Sequence, residues 1–543
     1  MTVEGGKTFD LDLLIQQIGP FGKFQLINYL LICIPIALTA MYTLTFVFTA
    51  GDLEYRCRIP GCDSDNTNLQ APFRDFTIPK DGDKFSMCQK FHHVPNATIE
   101  DQCQADLFDR TRLEDCSEFV YQDDETTILS EWDLGCSEEW KLSLVGTINN
   151  IGQFVCLPLT GYFSDRFGRR TAFILGNLFA AAFGLIRSFS TNYIMFIIFE
   201  FLEPALSAGV YSAGFILGME LVGPERRVLG AFFINVFYAL GEALLGLLAM
   251  LTRDWRLLMR VAYVPTFIFL IYRWLIPESA RWLLNMNRTR DAAKIIDSAA
   301  KMNKSPLTPE ARKMLDNVLN AEPVVEEKDG KLREKEPEAK EYNLLLAFKS
   351  KTLVLRMINC SYCWIAVCFV FYGMSMNSVS VAGDKYVNFI MNCLIEIPGA
   401  GLCCLLMDRI GRRMMLCISL ILSGAACIGF IFLTGDVPEA VHITVFLIGK
   451  FNISMSFITI YVYTAELFPT ELRHSLLAAC SMFGRLGSIV APFTPLLGKY
   501  VEPLPMILFA TMAISSGIFI MFAPETLNKT LPDTLKEAED IGK

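Results

Sequence analysis

An arginine lies inside an apolar segment near the C-terminal end of the sequence. Arg485 stands in "MFGRLGSIV" (482–490), and the chain is apolar on both sides from about Ser475 to Leu497. At about 1.5 Å of helix per residue, a span that begins near Ser475 places this guanidinium about 15 Å deep, near the middle of a bilayer. Ionisable side chains at that depth usually serve binding or transport. Arg485 is therefore predicted to bind a substrate carboxylate in bidentate fashion.

Two acidic residues are predicted at a similar depth. Glu396 stands in "LIEIPGAG" and Glu242 in "YALGEALLG". Either carboxylate could face a substrate ammonium, or pair with Arg485 in a structural salt bridge that never contacts substrate. For Glu396, helix packing beside Pro398 is a third possibility. The pattern alone leaves these alternatives open.

Aromatic residues are predicted at comparable depths in several spans. The face of an aromatic ring attracts a cation, so a cavity lined by such faces suits a quaternary or protonated amine. Each ring taken singly is as compatible with ordinary helix packing. As a group they predict, together with Arg485, Glu396 and Glu242, a substrate cavity lined by Tyr42, Tyr238, Trp364, Phe371, Tyr372, Phe457 and Tyr461.

The elements that must position these residues are membrane spans. The chain has 543 residues, of which 52% are hydrophobic and only 19% charged, with a mean hydropathy of +0.38. A helical span needs about 20 mostly apolar residues. Twelve such segments are predicted, near residues 25–50, 142–163, 171–187, 193–219, 229–251, 257–276, 353–376, 386–407, 414–434, 441–464, 476–498 and 505–523. The fold class is thus an all-α membrane protein.

Three motifs occur twice at nearly one offset. "GYFSDRFGRR" corresponds to "LLMDRIGRR", "MELVGPERR" to "AELFPTELR", and "PESARWL" to "PETLN". Repeats at the same place in each six-span unit indicate an internal duplication. The prediction is a cytosolic N-terminus (1–24), an N-terminal six-helix lobe (25–276), a cytosolic inter-lobe loop (277–352), a C-terminal six-helix lobe (353–523) and a cytosolic tail (524–543).

The repeated motifs carry charges that suit a two-state latch between the lobes. An Asp followed by an Arg pair at a tight Gly turn can place a carboxylate at a helix N-terminus and guanidinia against nearby acids. The alternative is that the arginines only set topology, since Lys and Arg accumulate on the cytosolic side. The predicted latch residues are Asp165, Arg166, Arg169, Arg170, Glu220, Glu278, Asp408, Arg409, Arg412, Arg413, Glu466 and Glu525.

The loop between the first two spans, about residues 51–141, is rich in cysteine. An even number of cysteines in an oxidising compartment indicates disulfides, here three with fifteen possible connectivities. A zinc site is the alternative, although no C-x2-C or His pair supports it. The loop also holds Asn96 of "NAT", a glycosylation acceptor. The predicted disulfide residues are Cys57, Cys62, Cys88, Cys103, Cys116 and Cys136.

Two segments of the inter-lobe loop differ in character. "TRDAAKIIDSAAKMN" has the spacing of an amphipathic helix, and "EEKDGKLREKEPEAKEY" is a polar linker. The acidic start "MTVEGGKTFDLDLL" lacks the basic region of a signal peptide, so the N-terminus is expected in the cytosol. The even number of spans then places the C-terminus in the cytosol as well. The net charge of −9 gives no basis for nucleic-acid binding.

The motifs "GYFSDRFGRR", "LLMDRIGRR", "PESARWL", "YVYTAELFPTELR" and "MFGRLGSIVAPF", with the Cys-rich loop, resemble the organic cation, anion and zwitterion (carnitine-type) transporter family of the major facilitator superfamily. The resemblance implies twelve helices, alternating access and small organic-ion substrates. It also implies that Arg485 matches the anion and carnitine-type members, whereas Ala400 replaces the Lys of anion exchangers. Glu200 and Glu242 depart from the family pattern and make the translocation region more acidic.

The predicted function is therefore plasma-membrane transport of small organic cations or carnitine-like zwitterions, the partners being that substrate and the lipid bilayer. An organic anion transporter of the same fold is the first alternative. A receptor or enzyme is the second, but no Walker, H-E-x-x-H or G-x-S-x-G motif occurs. No cofactor is predicted. Coupling to Na+ or H+, the particular ion and the oligomeric state are left open.

Overall fold

The computed structural model describes most of the chain. The described residues are 11–19, 21–63, 68–81, 84–94, 102–122, 124–222, 227–305, 307–320, 350–433, 437–469, 472–529, 532 and 535–541. Within them the protein is a bundle of helices with one small, disulfide-linked loop region between the first two spans.

Twelve apolar helical segments form the bundle. They are span 1 (Lys23–Thr43, Phe46–Thr49), span 2 (Trp140–Phe167), span 3 (Arg169–Arg187), span 4 (Tyr193–Ser207, Gly209–Leu221), span 5 (Arg227–Thr252), span 6 (Trp255–Tyr263, Val264–Ile271, Tyr272–Leu275), span 7 (Lys351–Asn377), span 8 (Lys385–Leu394, Glu396–Ile410), span 9 (Arg412–Ile431), span 10 (Glu439–Leu467), span 11 (Arg473–Val490, Ala491–Phe493, Thr494–Tyr500) and span 12 (Leu504–Ile520). Eleven are long and apolar enough to cross a membrane, and span 12 is a shorter apolar helix. The twelve-helix prediction is confirmed.

Prolines account for several of the interruptions within spans. Proline lacks the backbone N–H and clashes with the carbonyl four residues earlier, so it breaks or tightens a helix. Pro398 follows the break at Ile395 in span 8, Pro265 lies in the 3-10 segment of span 6, and Pro492 lies in that of span 11. The break in span 8 falls immediately before Glu396, at the centre of the bundle.

The loop region between spans 1 and 2 is held by three antiparallel strand pairs. Strand β1 (Tyr55–Cys57) pairs with β6 (Phe119–Tyr121), β2 (Lys80–Asp81) with β3 (Lys84–Phe85), and β4 (Gln89–His93) with β5 (Phe108–Asp115). Three disulfides cross-link it, Cys57–Cys116, Cys62–Cys103 and Cys88–Cys136, so the predicted number is confirmed and the connectivity is resolved. Asn96 lies outside the described residues.

The inter-lobe segment begins with helices that dock on the N-terminal lobe. The predicted amphipathic helix is Thr289–Asn303, and two further helices are Ala280–Asn285 and Pro309–Asn320. The Asn303 side chain accepts a hydrogen bond from the Phe24 backbone N–H at 2.8 Å. The Lys301 ammonium, hydrogen-bonded to Asp297, lowers the pKa of that carboxyl. The polar linker, 326–342, lies outside the described residues.

The repeated motifs adopt the same geometry in the two lobes. Gly168 and Gly411 have φ of 102° and 100°, and each joins two consecutive spans. Glu278 accepts a hydrogen bond from the Arg170 backbone N–H at 3.0 Å, and Glu525 accepts one from the Arg412 backbone N–H at 2.9 Å. A carboxylate therefore caps the N-terminus of spans 3 and 9, where it complements the helix dipole. The duplication predicted from sequence is visible in this pair of caps.

The capping carboxylates are not the aspartates that the sequence suggested. Asp165 and Asp408 instead contact the side chains of Arg169 and Arg412, one helical turn further along, at 2.6 and 2.9 Å. The reason is geometric, because each aspartate lies at the end of the preceding span and is exposed, whereas Glu278 and Glu525 follow spans 6 and 12 and reach the next helix N-terminus.

The acids of the second motif behave differently in the two lobes. Glu466 pairs with Arg412 at 3.1 Å, so two predicted latch residues are in contact within the C-terminal lobe. Among the described residues, Glu220 forms no ion pair with Arg169 or Arg170, because Arg169 bonds Asp165 and the Ser164 carbonyl, while Arg170 reaches the Ile276 carbonyl. Arg413 reaches the Ala523 carbonyl, Arg166 donates to the Tyr162 hydroxyl, and Arg409 is exposed.

Each of these described motif contacts lies within a single lobe. The latch between the lobes stays a prediction for the state in which the motifs of the two lobes approach each other. The described ion pairs that do join the lobes lie at the opposite end of the bundle, here called the loop end because it carries the disulfide-linked loop. Lys499 contacts Asp52 at 2.8 Å and Glu139 at 3.2 Å, and Lys385 contacts Glu125. The other end, with Gly168 and Gly411, is called the motif end.

Replacing Gly168 with alanine is expected to destabilise the motif end. A Cβ there would come within 2.4 Å of the Glu278 carboxylate, and the positive φ disfavours any L side chain. We expect a loss of about 1–3 kcal/mol, read as a lower midpoint of thermal unfolding in detergent. Gly161→Ala is the matched control, since a Cβ at Gly161 meets nothing within 4 Å. Equal midpoints for the two variants would contradict the capping geometry.

Candidate functional site

Arg485 lies where the two lobes meet at the centre of the bundle. Its guanidinium donates to the Gln153 side-chain oxygen of span 2 at 3.1 Å. Gln153 in turn donates to the Asn149 oxygen at 2.9 Å, and Asn149 donates to Glu200 at 2.8 Å. Because a guanidinium only donates and a carboxylate only accepts, the orientation of both amides is determined. The C-lobe cation is thus connected by hydrogen bonds to a buried N-lobe acid.

Glu200 belongs to a buried charge cluster inside the N-terminal lobe. It contacts Arg187 at 2.5 Å, and Glu203 lies 3.8 Å from the same guanidinium. The Tyr263 hydroxyl also accepts from Arg187, at 2.9 Å, and all of these side chains are almost fully buried. Arg187 thus faces two acids with one positive charge. The expectation that Glu200 makes the translocation region more acidic stays a prediction.

Glu396 is paired with a lysine that the sequence reasoning missed. Lys450 of span 10 is 0% exposed, and its ammonium lies 2.8 Å from the Glu396 carboxylate. It also donates to the Ser375 hydroxyl at 2.8 Å and lies 3.4 Å from the centre of the Phe371 ring. The signal was a lone lysine within the apolar run "VFLIGKFNISM". Neither Glu396 nor Glu242 pairs with Arg485 among the described residues, so that alternative is wrong.

Glu242 is the remaining predicted acid, and it differs from Glu396 in having no ion-pair partner among the described residues. It is 0% exposed, and neither carboxylate oxygen accepts a hydrogen bond from any residue that the structure describes. Glu396 and Lys450 lie within electrostatic range of it. Glu242, Glu396 and Lys450 each lie ten or eleven residues from the loop end of their spans. The three groups therefore form one layer, and Arg485 lies closer to the motif end.

Five of the seven predicted aromatic residues form one cluster in the C-terminal lobe. The ring centres of Trp364 and Tyr461 are 4.4 Å apart, and those of Phe371 and Phe457 are 4.7 Å apart. Tyr372 contacts Phe371 with ring centres at 5.3 Å. The Trp364 indole N–H donates to Thr464 at 3.0 Å, which orients this ring. The cluster begins at the Lys450 ammonium and continues toward the motif end.

The other two aromatics lie in the N-terminal lobe. Tyr238 contacts Tyr211 with ring centres 5.4 Å apart, and it is within electrostatic range of both Arg485 and Glu242. Tyr42 stacks on Tyr263 at 4.4 Å and shares a hydrogen bond with Thr266, so it belongs to the Arg187 cluster. Tyr42 therefore lies apart from the aromatic cluster of the C-terminal lobe, and its contact with substrate stays a prediction.

A cavity of about 850 Å³ lies at the loop end, between both lobes. Phe46, Glu139, Asn377, Lys499 and Met506 are among its lining residues, and none of the ten predicted substrate residues lines it. The predicted rings pack against one another in the centre instead of facing this space. The cavity is bounded by Lys499, whose ion pairs also join the lobes.

Comparisons with known proteins agree with this architecture. The model of the Major Facilitator Superfamily matches residues 128–492 and 387–538. The solved xylose transporter XylE of E. coli, in a partially occluded inward open conformation, has a TM-score of 0.61 and 15% sequence identity, over 94% of this chain and 100% of that chain. At this identity the likeness shows the fold.

Sequence relatives cover nearly the whole chain. Solute carrier family 22 member 21 of Mus musculus is 30% identical over 98% of this chain and 94% of its own length. Organic cation/carnitine transporter 2 of Rattus norvegicus is 30% identical over 97% and 94%, and the organic cation transporter protein of Drosophila melanogaster is 29% identical over 98% and 95%. The chain therefore belongs to the solute carrier 22 family of organic cation and carnitine transporters within the major facilitator superfamily, and it is a membrane transporter and not an enzyme.

Proposed function

We propose that this protein carries small organic cations and carnitine-like zwitterions across the plasma membrane, with its substrate bound at the centre of the bundle. The observation that carries the proposal is the Phe371 ring, whose face already holds the Lys450 ammonium at 3.4 Å beside the Glu396 carboxylate. This is the environment that an amine substrate requires, a ring face next to an acid. The names of the cation and carnitine relatives support the same substrate class.

The opposite end of a zwitterion would meet Arg485. The guanidinium donates to a side-chain amide oxygen of Gln153, which occupies the place that a substrate carboxylate would take. Exchanging a neutral amide for a carboxylate strengthens such a hydrogen bond, since charge-assisted bonds are the stronger ones. With Glu242 ionised, the groups Glu242, Glu396, Lys450 and Arg485 sum to a formal charge of zero, which favours neutral zwitterions over dicarboxylates.

Alternating access follows from the arrangement of the lobe contacts. The inter-lobe ion pairs of Lys499 and Lys385 hold the loop end together, while the motif contacts stay within each lobe. Movement of substrate would require the loop-end pairs to separate while the motif contacts within each lobe are kept. We place the loop end outside the cell, because three disulfides require an oxidising compartment, and both termini in the cytosol. Glycosylation of Asn96 belongs to the same proposal.

An uptake panel tests the function. Cells expressing the protein are given labelled carnitine, labelled tetraethylammonium or labelled benzoate. The medium contains either Na+ or K+ in its place, and no choline. We expect carnitine or tetraethylammonium to accumulate to a higher level than in cells that express a non-transporting control protein. Accumulation of benzoate alone would contradict the proposal and favour the organic anion alternative.

A further inference from the structure

Glu242 is a buried acid whose carboxylate has no hydrogen-bonding partner among the residues that the structure describes. Both carboxylate oxygens lack hydrogen-bond partners among the described residues, although the side chain is 0% exposed. A bare carboxylate in such a place loses its hydration without compensation, which is strongly unfavourable. Something positive must therefore accompany it, either a proton on the carboxyl itself or a cation beside it.

The groups that face Glu242 come from four spans. Glu396 and Cys393 approach from span 8, Lys450 from span 10, Tyr372 from span 7, and Tyr238 from its own span 5. Span 1 approaches with the backbone of Ala37 beside Gly241. The charged groups among these are two carboxylates and one ammonium. Lys450 is already engaged by Glu396 at 2.8 Å, so one negative charge is left over.

Asn392 adds a second buried polar group. It is 0% exposed, and among the described residues its side-chain interaction is with the neighbouring Cys393 thiol, while no nitrogen or oxygen group bonds it. It lies four residues before Glu396 on span 8, next to Cys393, which faces Glu242. An amide supplies both a donor and an acceptor, and it can serve a carboxylic acid and a carboxylate alike.

We infer that Glu242 binds one exchangeable proton, and that entry of one organic cation is coupled to exit of one proton from this carboxyl. The inference rests on the proposed function. With the proton in place the layer of Glu242, Glu396 and Lys450 is neutral. A substrate ammonium brings its own positive charge. If the proton and the substrate were bound together, the layer would carry a net charge in the hydrocarbon. The proton and the ammonium therefore compete for the Glu242 carboxylate. The O–H bond of Glu242 breaks as the ammonium binds, and the proton passes to water on the side to which the site is open.

A proton fits this position better than Na+ does. A metal cation needs several oxygen ligands around it, and the adjacent Lys450 ammonium would repel it. The proton needs a single carboxyl oxygen. The position of Glu242 also links its protonation to the movement of the lobes, because Glu242 belongs to the N-terminal lobe and Glu396 to the C-terminal lobe. When both are ionised, their repulsion opposes close contact of spans 5 and 8.

The experiment uses the purified full chain in proteoliposomes. Labelled tetraethylammonium is the probe, since it has no titratable proton of its own. Substrate entry and proton exit are measured together, the second with a pH-sensitive dye in lightly buffered medium. We expect about one proton out per substrate in, because one carboxyl carries one proton, and no acceleration of uptake by a negative-inside potential. Uptake with no proton movement, or uptake that requires Na+, would overturn the inference while the proposed function stands; absence of any uptake would overturn both.

Two variants locate the proton. Glu242→Gln keeps the shape but cannot release a proton, so whatever uptake remains should move no protons and should respond to membrane potential. Glu242→Asp keeps a carboxyl and should keep the ratio of the wild type. A proton ratio in Glu242→Gln equal to that of the wild type would overturn the assignment. If the Gln variant fails to fold, release of one proton on binding tetraethylammonium to the wild type in detergent supports the inference, and binding without proton release overturns it.

Discussion

Replacing Arg485 with aspartate is expected to abolish uptake of carnitine while uptake of a simple quaternary ammonium stays measurable. The guanidinium is the group placed to receive a substrate carboxylate, and it now holds the Gln153 oxygen in that position. Loss of a partly buried charge pair costs about 2–5 kcal/mol, and the repulsion between two carboxylates adds to it. We therefore expect the kcat/KM for carnitine to fall by at least about a hundredfold, since about 1.4 kcal/mol is tenfold.

The quaternary ammonium has no carboxylate that could contact Arg485, so its uptake should change far less and can even rise. Arg485→Lys is the control that keeps the charge but not the bidentate geometry, and it should lie between the wild type and the Asp variant. Kinetics for both substrates are measured beside the amount of protein at the cell surface. An equal fall for both substrates that follows a loss of surface protein would show that Arg485 only supports the structure.

The bundle and its duplication could be predicted because each depends on local sequence. Spans follow from hydropathy over about 20 residues, and the repeated motifs stand at matching places in each half. The same holds for the number of disulfides, which follows from counting cysteines in one loop. Their connectivity could not be predicted, since Cys57 pairs with Cys116 only because strand β1 meets strand β6.

The charge pairs of the interior could not be assigned in this way. The sequence predicts similar depths for Glu396 and Arg485, yet Glu396 pairs with Lys450, because span 10 and not span 11 presents its cation to that side of span 8. Depth along a span can be read from a sequence, but the direction in which a side chain faces around the helix depends on which spans are neighbours. The same reason explains Tyr42, whose depth matches the cluster while its ring lies on Tyr263.

Replacing Lys450 with methionine is expected to have the largest effect on stability. The change leaves two buried acids, Glu396 and Glu242, without the ammonium that pairs with Glu396. Breaking a buried pair on one side typically costs about 3–5 kcal/mol, because an uncompensated charge is left behind. We expect a much lower midpoint of thermal unfolding for the purified protein in detergent, and little protein at the cell surface.

The double variant Lys450→Met, Glu396→Gln tests whether the loss of stability comes from the unpaired charge of Glu396. It removes both members, and replacing both sides of a buried pair is often close to neutral, so most of the lost stability should return. Lys499→Met is the matched control, since that lysine also joins acids but is 32% exposed, and an exposed pair contributes about 0–1 kcal/mol. A Lys450 variant as stable as the Lys499 variant would contradict the pairing. A double variant that is stable but does not transport tetraethylammonium would show that the Glu396–Lys450 pair serves substrate binding as well as folding, because folding alone would already have been restored.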